Sequence, residues 1–134
     1  MLPSKYTFIL ETNGTLIDKE LAKNLSEFSN IHVRISLKSP TPEKWEKITG
    51  TSEEGFFLQM EAMRHLKKFG VPFHPAIMYE LFTEKREMEI LISYLLEIDR
   101  NLPSQLEFEF LQILPPLKEK IRWGIREKLI KLRV

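Results

Sequence analysis

Four side chains at two places in the chain could hold a small polar ligand. Thr12 and Asn13 precede Gly14, and Ser36 stands two residues before Lys38 in the run Ile35-Ser36-Leu37-Lys38. Hydroxyls give and take short hydrogen bonds, a carboxamide donates and accepts, and an ammonium is a mobile cation. Taken by itself, Thr12-Asn13-Gly14 also reads as an ordinary turn that tolerates positive φ. Lys38, before Ser39-Pro40, likewise reads as a solvated residue at a strand end. Glu107 and Glu109 share one strand face and could act as an acid and a base. The plainer expectation is charge facing solvent on an edge strand, where it discourages unwanted pairing. His32, His65 and His74 form no i, i+4 pair, so no metal site is expected from them; His65 reads as solvated, and His32 shares a strand face with Arg34.

Strand-like and helix-like segments alternate and would position these groups. Tyr6 to Glu11 is rich in β-branched and aromatic residues and stops at the turn signal, after which Ile17, Leu21, Leu25 and Phe28 recur at helical spacing. Ile31 to Lys38 alternates, with Ile31, Val33, Ile35 and Leu37 on one face and His32, Arg34, Ser36 and Lys38 on the other. Thr41-Pro42 predicts a helix start, and Thr51 with Glu54 predicts a capping box for the next helix. That helix puts Leu58, Ala62, Met63, Leu66 and Phe69 on one face and stops at Gly70; Phe56, Phe57, Met60 and Met63 read as core. Phe73 to Tyr79 is a third strand, Thr83 caps a helix running to Ile98, Leu106 to Leu114 is a fourth strand, and Leu117 to Leu132 is a last amphipathic helix. Four (βα) units imply right-handed crossovers and an open, mainly parallel half-barrel sheet of the α/β class, because closing such a barrel takes about eight strands. Reacting groups in such sheets sit at the C-terminal strand ends, where Ser36 and Lys38 fall.

Composition narrows the classes of function. The 134 residues, 43% of them hydrophobic, suit a single domain with a substantial core. The net charge of +1 gives no global reason to expect nucleic acid or an anionic membrane as partner. Only the tail is basic: residues 117–134 hold seven Lys or Arg against Glu119 and Glu127, a surplus of five. Arg122, Trp123 and Arg126 in that tail could face nucleic acid or a protein, but no nucleic-acid fold motif accompanies them. The chain has no cysteine, which excludes a disulfide scaffold, a thiolate zinc site and a cysteine-ligated iron–sulfur cluster. The N-terminus resembles neither a secretion signal nor a membrane span, so a cytosolic protein is expected.

The order Thr12-Asn13-Gly14 after a strand, Ser36-Leu37-Lys38 ending the next, Lys47-Ile48-Thr49-Gly50, a helix ending at Gly70 and a strand from Val71 resembles the radical S-adenosylmethionine enzymes. The resemblance runs from Tyr6 to Met78 and, more weakly, over Leu106 to Pro116, where Leu111-Gln112-Ile113-Leu114-Pro115 is similar to the family's last strand. It implies S-adenosylmethionine as cofactor, with Thr12, Asn13, Ser36 and Lys38 as its contacts. The family's Cys-x-x-x-Cys-x-x-Cys loop and Gly-Gly-Glu stretch are missing, so the resemblance implies residues 1–134 as one truncated domain, non-catalytic alone. One alternative is a subunit of a split enzyme whose cluster sits on a cysteine-bearing N-terminal partner chain; another is a scaffold that binds a different small molecule or a protein. Loss of the preceding strands would bare the first strand's edge and an inner face of Tyr6, Phe8 and Leu10, so self-association into a homo-oligomer is expected.

Overall fold

A computed structural model of the chain describes residues 6–111. The basic helix expected at Leu117 to Leu132, with Arg122, Trp123 and Arg126, and the part of the fourth strand expected beyond Leu111 lie outside those residues. Strands β1 (Phe8–Thr12), β2 (Ile31–Leu37), β3 (Phe73–Met78) and β4 (Glu107–Glu109) form one parallel sheet in the order β1-β2-β3-β4. Each strand is added beside its predecessor, so the open sheet is a half-barrel. Parallel pairing needs crossovers, and the described residues supply four helices: α1 (Lys19–Leu25), α2 (Pro42–Thr49), α3 (Glu54–Lys68) and α4 (Lys85–Ile98).

The period-2 pattern of β2 decides the two faces of the sheet. Ile31, Val33, Ile35 and Leu37 are buried against the helices, while His32, Arg34 and Ser36 are only partly covered. The register carries this parity to the neighbours, because Phe8 lies opposite Ile31, Leu10 opposite Val33 and Ala76 opposite Ser36. Phe8 and Leu10 therefore belong to the helix-covered face and not to the inner one expected for them. Ile9 and Glu11, opposite His32 and Arg34, are β1's inner-face residues.

Local chemistry sets the helix ends and corrects several expected faces. Asp18 caps α1 by accepting from the Leu21 amide at 2.8 Å, so Ile17 precedes the helix, and Ala22 and Leu25 form its buried side. Leu21 and Phe28 are exposed. Thr41 caps α2 as expected, accepting from the Lys44 amide at 3.1 Å with Pro42 at the first helical position. The capping box expected of Thr51 and Glu54 does not form. Thr51 Oγ1 is instead taken by the Trp45 indole N–H at 3.1 Å, and Glu53 occupies the N-cap position of α3. In α3 the buried stripe is Phe56, Gln59, Met60, Ala62, Met63 and Leu66, leaving Leu58 and Phe57 exposed. Glu84, not Thr83, caps α4, in a reciprocal capping box with Glu87. Burial alone would raise the Glu87 carboxyl, but the Thr83 amide, Lys44 and the Glu84 amide together hold it down at about 2.

Candidate functional site

The four residues that the family resemblance implies as contacts, Thr12, Asn13, Ser36 and Lys38, come together at one end of the sheet. Register places Thr12 beside Ile35, so the chain leaving β1 passes next to the chain leaving β2. Gln59, projecting from α3, joins them. Its Nε2 donates to the Asn13 carbonyl at 2.6 Å and to the Ser36 carbonyl at 2.8 Å, and its Oε1 accepts the Lys38 amide at 3.3 Å. The result is a cleft of about 370 Å³ lined by Thr12, Asn13, Ser36 and Lys38 together with Glu11, Arg34 and Glu109. A neighbouring hollow of about 500 Å³ shares Asn13 and Lys38 and adds the hydroxyls of Thr15, Thr49 and Thr51 beside Trp45. Part of the first loop is committed to itself: Thr12 Oγ1 accepts the Gly14 amide, and Asn13 Oδ1 accepts the Thr15 amide and hydroxyl. The Thr12 hydroxyl proton and the Asn13 amide protons are not used in those bonds.

The inner face below the cleft is charged and internally paired. Arg34 holds Glu107 through two bonds, Nε to Oε1 at 3.0 Å and Nη2 to Oε2 at 2.9 Å, and reaches Glu109 at 3.0 Å and Glu11 at 3.3 Å. The hydrogen bond to Glu107 raises the arginine's pKa further, and the same guanidinium, with the His74 ring, holds the Glu107 carboxyl down at about 2. Glu107 and Glu109 do stand on an end strand of the described sheet, with Glu107 exposed as expected, but both are also paired to a largely covered arginine. Burial lowers the Lys38 pKa, and the Glu109 carboxylate partly opposes this. The cleft thus offers both signs of charge within one polar site.

Two features lay beyond the reach of pattern. Gln59 was hidden because a polar residue in a helix reads as surface, although its amide is fully buried here. The histidines, 42 residues apart, meet across β2 and β3: His32 Nε2 lies 2.7 Å from His74 Nδ1, and His74 Nε2 lies 2.7 Å from Glu107 Oε1. A signal existed in principle, since both precede strand residues of the same parity, but the register was needed to use it. Among the described residues no three histidine or carboxylate side chains are grouped to hold a metal ion. An iron–sulfur cluster held by thiolates does not fit this chain, which has no cysteine to bind it. No helix of the described residues is long and apolar enough to cross a membrane.

No protein-family model matches the chain, and no curated protein sequence matches it. Among solved structures, the crystal structure of Streptococcus suis SuiB bound to S-adenosylmethionine is similar, with a TM-score of 0.61 at 14% sequence identity. The likeness covers 92% of this chain but 30% of that one, so the chain spans under a third of the length of the protein it resembles. At that identity the shared property is the fold: an open parallel α/β sheet of this kind recurs as part of an S-adenosylmethionine-bound protein.

Proposed function

We propose that this is a radical-S-adenosylmethionine-like domain, non-catalytic alone, whose cleft at the C-terminal strand ends contacts S-adenosylmethionine. The observation that carries this reading is the convergence of Thr12, Asn13, Ser36 and Lys38 on one cleft. The fold shared with the S-adenosylmethionine-bound neighbour supports it. The ligand's chemistry also matches the lining. Lys38 suits the methionyl carboxylate, the hydroxyls of Ser36 and Thr12 suit the ribose, and the carboxylates of Glu11 and Glu109 suit the ammonium and sulfonium charges. Cluster-dependent chemistry is not assigned to these residues, because no thiolate is present.

Titration calorimetry of the full chain with S-adenosylmethionine tests the site. Saturable heat is expected, with affinity weakened about tenfold by Lys38→Met, as befits one lost charge-assisted hydrogen bond of roughly 1.5 kcal/mol. Ser36→Ala should weaken it less. Heat that is absent, or unchanged in both variants, sinks the reading. The split-enzyme alternative is favoured by β1, which has β2 on one side and no described strand on the other. In that case heat would appear only after a cysteine-bearing partner chain is added. A scaffold for another ligand or protein would show no heat in either mixture.

A further inference from the structure

We propose that His32 and His74 form one proton-sharing unit that couples pH in the imidazole range to the charge state of the cleft, acting through Glu107 and Arg34. The contacts form an unbroken chain. His32 Nε2 faces His74 Nδ1 at 2.7 Å with ring centres 4.9 Å apart, and His74 Nε2 faces Glu107 Oε1 at 2.7 Å. Glu107 holds Arg34 through both its oxygens, and Arg34 and Glu109 line the cleft.

Counting donors gives the states of the pair. With both rings neutral, His74 donates from Nε2 to Glu107 and accepts at Nδ1 from His32. One added proton keeps every bond, because His74 then donates from both nitrogens, to Glu107 and to the His32 lone pair. A second proton leaves N–H groups facing each other at the 2.7 Å contact and breaks it. Burial, and next to it the His74 charge, lowers the His32 pKa, which agrees with this order. The charged groups that face the pair are Glu11 from β1, Arg34 from β2, and Glu107 and Glu109 from β4; Ile9, opposite His32, is apolar. The turn at Leu102–Gln105, which packs on β3, brings no charged side chain.

The consequence for the cleft follows from its charges. Glu11, Glu107 and Glu109 set against Arg34 and Lys38 leave one net negative charge in the network. The first proton cancels it. A His74 cation is also a second positive partner for Glu107, which weakens that carboxylate's hold on Arg34 relative to Glu109 and the cleft. The protonated state should therefore favour an anionic group in the cleft. This holds whether or not the ligand is S-adenosylmethionine.

Nuclear magnetic resonance titration of the full chain, with no ligand present, tests the coupling. The ring signals of His32 and His74 should move together in two steps, with the Arg34 Nε–H and the Lys38 amide following the first step and His65 serving as internal reference. His74→Gln should abolish the pH response of Arg34 and Lys38. His32→Asn, which keeps the His74–Glu107 contact, should leave a single His74 step still followed by Arg34. Independent one-step titration of the two rings, or Arg34 and Lys38 signals that ignore the histidines in the wild type, would overturn the proposal.

Discussion

The side-chain amide of Gln59 is the point at which α3 meets both strand ends of the cleft. Fully buried, it pairs with two carbonyls and one main-chain amide. Gln59→Leu preserves the volume and strands those groups in a dry site, so a loss of about 3 kcal/mol is expected, measured by urea unfolding. A loss below about 0.5 kcal/mol would mean that water replaces the amide. The variant should also widen the amide signals of Asn13 and Lys38, because Gln59 bonds to both of these residues. Ser36 and Lys38 were legible in the sequence because alternation in β2 assigns them a face without knowledge of any partner. Gln59, His32 and His74 were not, because their roles depend on which residue of another element stands opposite them. Arg34 was legible only as a polar-face residue; that it gathers Glu11, Glu107 and Glu109 needed three strands to be placed in register.

Among the elements, the strands followed their patterns more closely than the helices did. A strand's two faces are fixed by parity, whereas a helix stripe shifts when a cap moves its start or when a buried polar residue joins it, as Asp18 does for α1 and Gln59 for α3. The junction between α2 and α3 shows how a misread cap reflects tertiary packing. Trp45 is buried against the first turn of α3, and a Cβ on Gly55 would come within 2.2 Å of its ring. This close approach requires glycine and draws the indole N–H to Thr51, which is why Thr51 is not free to cap α3. Gly55→Ala is expected to displace Trp45 and cost about 1–3 kcal/mol, despite alanine's better helix propensity. Thermal unfolding reads the loss, and a red shift of Trp45 fluorescence in a Trp123→Phe background reads the displacement. A variant as stable as the parent would show that α2 can slide along α3.

At the scale of the molecule, the sheet face and the sheet edge make different demands. The first strand was expected to bare an apolar inner face that needs cover; the inner face of the sheet is mostly a paired polar surface, with Arg34 neutralised by three carboxylates and His32 bonded to His74, so water can wet it without loss. A dimer formed by stacking two such faces has little apolar area to gain. The edge of β1 is another matter. The described residues give it a strand on one side only, and Phe8 and Ile9 remain 45% and 56% exposed on its two faces. Edge strands with exposed apolar side chains and no lysine of their own are templates for pairing. Self-association of the isolated 134-residue chain is therefore expected to run through this edge, with strands added side by side and not with faces stacked. Light scattering should give a mass that rises with concentration, and Ile9→Lys should shift the rise to at least about tenfold higher concentration, since a charge must then be set against the incoming strand. The same rise in Ile9→Lys as in the parent would move the contact elsewhere, and a mass fixed at one chain throughout would remove the edge as a driving force.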